Sequence, residues 1–175
     1  MTTSIEEFKL TASSERIKLG EKIKINLSMS IKGDLVNNFT PDNWEKAYKE
    51  GERKFMLRYF IKIKNLKGFL SSNDLIKEKI VRRAVFFWTR NPTIDRTYWV
   101  ELVLEDKKPY LIREIDGIYE KLFNLERSYE IDSNLLGDGK HKIRAEVKVK
   151  WANYVFIDAS TLKAKSNVIA IECLK

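Results

Sequence analysis

The sequence predicts an all-β, mainly antiparallel fold: a two-sheet β-sandwich with one short helix inserted near residues 41–50. Three observations carry this. Residues 22–31 and 140–151 alternate apolar and polar side chains at a strict period of two, which gives a strand one buried and one wet face. Turn signals recur at fairly regular spacing, at Gly20-Glu21, Lys32-Gly33-Asp34, Asp116-Gly117 and Gly137-Asp138-Gly139. Strands alternating with long helices, the mark of a parallel α/β fold, are absent.

In chain order, residues 5–12 alternate weakly through Phe8, Leu10 and Ala12, and residues 16–19 lead into the Gly20-Glu21 turn. Ile23, Ile25, Leu27, Met29 and Ile31 form the inward set of the next strand. Residues 41–50 suit a helix: Thr40 can cap it, Pro41 fits its first position, Asp42 faces its positive end and Gly51 stops it. Residues 54–64 return to strand, with Phe55, Leu57, Tyr59, Ile61 and Ile63 inward. The segment 72–89 is mixed: Ser72 or Asn73 can cap a short helix starting at Asp74, and from Ile80 the β-branched and aromatic run reads as strand. Residues 96–105 form a strand, Asp116-Gly117 is a hairpin signal, and a further strand lies near 126–131. After the Gly-rich turn, His141, Ile143, Ala145, Val147, Val149 and Trp151 face inward, and SNVIAIECLK closes the fold, for about nine or ten strands in all.

A chain of 175 residues predicts one domain, with insertions between about 33 and 125. A hydrophobic fraction of 43% with 33% charged residues describes an ordinary globular protein rather than a disordered one. No apolar run is long enough for a transmembrane helix, and MTTSIEEFKL, with two glutamates, is no secretory signal. The single cysteine, Cys173, forbids an internal disulfide framework. Together these predict a cytoplasmic protein. The net charge of +8 favours acidic partners: nucleic acid, an anionic membrane surface or an acidic protein. Abundant Lys, Ile and Asn without any Gln point to a thermophilic, AT-rich source such as an archaeon.

Three stretches resemble the immunoglobulin-like superfamily of β-sandwiches: SSERIKLGEKIKINLSMSIKGD, YEIDSNLLGDGKHKIRAEVKV and SNVIAIECL, within residues 14–34 and 129–174. The first looks like an edge strand, a turn and a long second strand. The second is similar to the pattern in which a Gly two residues before a Tyr or His opens the penultimate strand. The third looks like the closing strand. The resemblance implies the sandwich fold and no particular function. It departs from antibody domains in lacking their cysteine pair and in holding His141 where a corner tyrosine would stand. An arrestin-like sandwich is a second fold of the same kind.

Candidate chemistry is sparse. His141, the only histidine, reads either as a corner hydrogen bond or as a general base. Cys173 lies among alternating apolar residues and reads as a buried small hydrophobe. Glu105-Asp106 and Asp132 with Asp138 read as solvated loop charges. No phosphate-binding glycine loop, dinucleotide fingerprint or nucleophile elbow occurs, and no metal or cofactor is called for. Two surfaces stand out. Phe86, Phe87, Trp88 and Trp99, with Tyr98, put bulky aromatics on both faces of two consecutive strands, a protein-contact patch unless a helix covers it. Lys54, Arg58, Lys62, Lys64, Lys140, Lys142, Arg144, Lys148 and Lys150 would line one sheet face with Phe60 among them. A cationic face with an aromatic can bind nucleic acid through phosphate contacts and stacking. The expected function is therefore a non-catalytic interaction module that binds a protein partner or its own copies. Nucleic-acid binding through the basic face is the alternative, and an enzyme of unknown class the third.

Overall fold

The computed structural model describes residues 2–37, 54–67, 71–88, 98–103, 109–112, 122–152 and 160–175, with the backbone alone for 54, 55, 71, 83–88, 98–103, 109–112, 152 and 160. The described chain is all-β, mainly antiparallel, with one four-residue helix. Its strands are β1 (Ser4–Ala12), β2 (Arg16–Lys18), β3 (Lys22–Lys32), β4 (Lys54–Lys67), β5 (Ser71–Trp88), β6 (Tyr98–Val103), β7 (Pro109–Ile112), β8 (Asn124–Asp132), β9 (Gly139–Ala152) and β10 (Ser160–Leu174). The helix α1 (Asp34–Asn37) follows β3, and a 3-10 turn, Ser133–Leu135, follows β8. One sheet has the order β1-β3-β8, the other β2-β10-β9-β4-β5-β6-β7. Every pairing is antiparallel except that of β2 with β10.

Period-two patterning accounts for the core. The inward sets of β3, β4 and β9 are buried: Ile23 to Ile31 on odd positions, Leu57 to Ile63, and Ile143 to Val149. They join one cluster that also takes in Leu10, Leu125, Ile171 and Cys173, so both sheets and both halves of the chain share it. Each such aliphatic side chain contributes about 1.5–3 kcal/mol by leaving water.

Polar side chains stitch the two sheets together at their margins. The first strand changes sheet at Ser13–Glu15: β1 pairs with β3, and β2 pairs with β10. Beside it, β10 carries a bulge between Lys165 and Val168, from which Asn167 reaches the backbone of Leu10 in β1. On the opposite margin Glu78 of β5 accepts hydrogen bonds from Arg127 and Tyr129 of β8. Arg82, buried on β5, donates to the carbonyls of Leu122 and Asn124, and the Tyr59 hydroxyl donates to that of Leu122 at 2.6 Å. Glycine is required where β3 ends. Gly33 has φ 110°, and a Cβ there would collide with the backbone of Thr2 and Thr3.

Two sequence expectations are corrected. No helix starts at Asp74: β5 is extended throughout and pairs with β4 from Ser71 to Val85. The capping residues there are outweighed by a partner strand that takes up the backbone hydrogen bonds, and Leu75 is absorbed as an irregularity between Ile63 and Lys64. The closing strand starts at Ser160, well before SNVIAIECLK. The expected helix at 41–50 and the hairpin at Asp116-Gly117 lie outside the described residues.

Candidate binding face

In β4 and β9 the apolar positions turn inward, so the residues between them must turn outward, and most of those are cations. Register then sets rows across four strands. The central row runs Lys79 (β5), Phe60 (β4), Lys148 (β9), Lys163 (β10). A second runs Lys77, Lys62, Glu146, Lys165, and a third runs Val81, Arg58, Lys150, Thr161. Neighbouring strands in a sheet lie about 4.8 Å apart, so these side chains are each other's nearest neighbours.

Phe60 is half-buried at the centre. The Lys79 ammonium lies 5.6 Å and the Lys148 ammonium 5.9 Å from its ring centroid, within cation–π reach. An open groove of about 820 Å³ runs beside the ring, lined by Phe60, Lys62, Glu146, Val147, Lys148, Lys163, Ala164 and Lys165.

The one acid in these rows is already taken. Glu146 sits 2.9 Å from Lys64 Nζ and 3.1 Å from Arg144, and Lys64 above all holds its carboxyl below the usual carboxylate range. Lys77 pairs with Asp74 at 3.4 Å. Among the described residues Lys62, Lys79, Lys148, Lys150, Lys163 and Lys165 have no acidic partner. Their repulsion bears on Lys148, whose pKa is lowered by Lys150 first, then by partial desolvation, and also by Lys163 and Lys62. Like charges directly opposite one another destabilise a sheet.

Of the expected basic face, Arg58, Phe60, Lys62, Lys148 and Lys150 are brought together in these rows, with Lys64 and Arg144 spent on Glu146. Lys140 and Lys142 are exposed further along β9, opposite Glu172 and Ala170 of β10. Lys54 pairs with Val85 through the backbone, at the far end of β4. Four members lie outside the expected set: Lys77 and Lys79, whose segment carries competing helix signals, and Lys163 and Lys165, which precede the SNVIAIECLK stretch. The alternation of Leu162 and Ala164 with Lys163 and Lys165 was the available signal.

The aromatic run is also strand. Phe87 pairs with Trp99, Phe86 with Val100 and Trp88 with Tyr98 across β5 and β6. The helix expected at 41–50, which could cover it, falls outside the described residues.

His141 is engaged on both nitrogens. Nε2 donates to the Gly137 carbonyl at 2.9 Å, and Nδ1 accepts from Asn65 Nδ2 at 3.2 Å. This is a corner contact between the start of β9 and the turn before it. Cys173 is buried, and burial, with Asp138 adding to it, pushes its thiol pKa up, away from nucleophilic use. Asp132 caps the 3-10 turn by accepting from Asn134 N at 2.9 Å, and Asp138 lies 3.6 Å from Lys175. Among the described residues no group of His, Cys, Asp or Glu side chains gathers as a metal site. No described helix is long and apolar enough to cross a membrane.

No protein-family model matches the chain, and neither does a curated protein or a solved structure.

Proposed function

We propose that this chain is a non-catalytic interaction module, a single immunoglobulin-like sandwich domain, that holds an acidic partner against the outward face of β5-β4-β9-β10. The observation that carries the reading is the unneutralised lysine cluster around Phe60. Folding brings these charges together at a cost, and an anionic partner removes that cost. The two hydrogen bonds of His141 and the burial of Cys173 support a non-catalytic role.

The fold-level part of the proposal has its own support. In an immunoglobulin-like sandwich the first, second and fifth framework strands share one sheet and the third, sixth and seventh the other, with extra strands added beside the third in the variable type. The orders β1-β3-β8 and β10-β9-β4 match this, and β5, β6 and β7 continue outward from β4. Part of the length between 33 and 125 then goes into those added strands. His141 reaches four residues back to Gly137, as a corner tyrosine reaches back along the chain.

The test separates geometry from net charge. Lys148→Glu with Lys163→Glu alters the centre of the face, whereas Lys22→Glu with Lys24→Glu makes the same charge change on exposed positions of β3. The first pair should shift elution from immobilised heparin and polyglutamate to clearly lower salt than the second. Equal elution of the two variants would show that net charge, and not this face, governs binding.

A further inference from the structure

Resting on the reading of this face as the working surface, we infer that its partner is single-stranded nucleic acid, with a base stacked on Phe60 and phosphates held by Lys79, Lys148 and Lys163. The face combines two features that must be satisfied together. One is the set of cations without acids; the other is a half-buried aromatic ring in their midst. An acidic polypeptide answers the cations and leaves the ring with nothing flat to meet. A nucleotide carries an anion and a π-face a short distance apart, so one ligand answers both.

Shape selects the single strand over the duplex. A duplex hides its base faces in the stack and is read by an element that enters a groove. This face is the broad surface of four adjacent strands, with no helix or ribbon projecting from its described residues. Bases splayed from a single strand can lie flat on such a surface, as they do on other sheet platforms with exposed aromatics. The long lysine stems let the two ammonium groups swing from the ring to the phosphates when a base arrives. Glu146 does not oppose this, because Lys64 and Arg144 neutralise it. Lys62 and Lys165, flanking Glu146 in the next row, continue the cationic track past the ring.

The test is fluorescence anisotropy of the full chain with a labelled oligothymidine, a labelled mixed-sequence duplex and a labelled polyglutamate peptide, each at low and high salt. The single strand should bind tightest, and its affinity should fall steeply with salt. Phe60→Ala should weaken single-strand binding by about tenfold or more, with polyglutamate binding unchanged. Phe60→Trp should retain binding, which separates loss of stacking from loss of fold. If polyglutamate or duplex binds as tightly as the single strand, or Phe60→Ala binds it like the parent chain, the inference is overturned while the acidic-partner reading stands. If no polyanion binds above a comparably basic control protein, both are overturned.

Discussion

The side-chain amide of Asn167 satisfies both backbone hydrogen-bonding groups of Leu10: Leu10 N–H donates to Oδ1 at 2.8 Å, and Nδ2 donates to the Leu10 carbonyl at 2.9 Å. Leu10 is fully buried, and its strand has β3 on one side only, so without Asn167 those two groups have no strand to pair with. The bulge in β10 places the amide there, and Ser166 repairs the ladder beside it by accepting from Ala145 N at 2.9 Å. A side chain thus stands in for a strand where the two sheets meet.

Asn167→Ala should therefore cost about 1 kcal/mol, because two part-buried backbone hydrogen bonds are lost while the exposed position of Asn167 lets water reach the vacated site. Asn167→Asp should not rescue it, because a carboxylate facing the Leu10 carbonyl cannot donate. Urea denaturation measures both. A loss near zero for Asn167→Ala would mean that the β1–β10 margin is held by packing alone.

His141 is predicted to act on stability and not on binding. His141→Ala removes the bond to Gly137 and strands Asn65, which should lower stability by about 1–3 kcal/mol. His141→Tyr, with a hydroxyl that can reach the Gly137 carbonyl, should recover part of the loss. Polyanion affinity should stay at the parent level in whichever of these variants folds. Loss of affinity in a folded variant would return His141 to the list of working residues.

Glu146 predicts a pH dependence. Its folded pKa is depressed, chiefly by Lys64 and then by Arg144, so the stability it confers is present above the unfolded value of about 4.3 and is lost as pH falls through the folded value. Glu146→Gln should flatten the acid limb of the stability curve and cost up to about 1 kcal/mol at neutral pH. It should also tighten binding to an anionic polymer, since Lys64 and Arg144 are released to the face. Thermal melts between pH 3 and pH 7 test the first claim, and heparin elution the second. An unchanged acid limb would contradict the ion-pair assignment.

Lys148 predicts a conflict between stability and binding. A lowered folded pKa means that the folded state bears a penalty for the charge at every pH below it, relieved as pH rises above it. Lys148→Gln should melt at a higher temperature than the parent and bind polyanions less well. Added salt, which screens Lys150, Lys163 and Lys62, should raise the melting temperature of the parent more than that of the variant. A variant that melts lower would show that the Lys148 stem and its contact with Phe60 matter more than the repulsion.

Much of the fold was legible because a period of two leaves little choice once one face is apolar. In β3 and β9 every inward residue expected from Ile23 to Ile31 and from Ile143 to Val149 is buried. The segment after Ser72 was harder. Ser-Asn-Asp is a good helix start, and only the partner strand β4, distant in sequence, makes it extended. The basic face was half legible for the same reason. Lys62 and Lys148 could be assigned a direction from their own strands, but their neighbours Lys79 and Lys163 depend on register across β5 and β10, which local pattern does not encode. The contacts of Asn167, Arg82 and Glu78 were not legible, since each joins residues far apart in sequence through a single side chain.

The most direct test of the proposed face is amide chemical-shift mapping of the full chain titrated with short oligothymidine. The account predicts shifts concentrated at Phe60, Lys62, Lys79, Lys148, Lys163 and Lys165, with Lys22 and Lys24 on β3 unmoved. Shifts spread evenly over all exposed lysines, or gathered in the groove between β1 and β10 around Arg16, Asn167 and Val168, would contradict it.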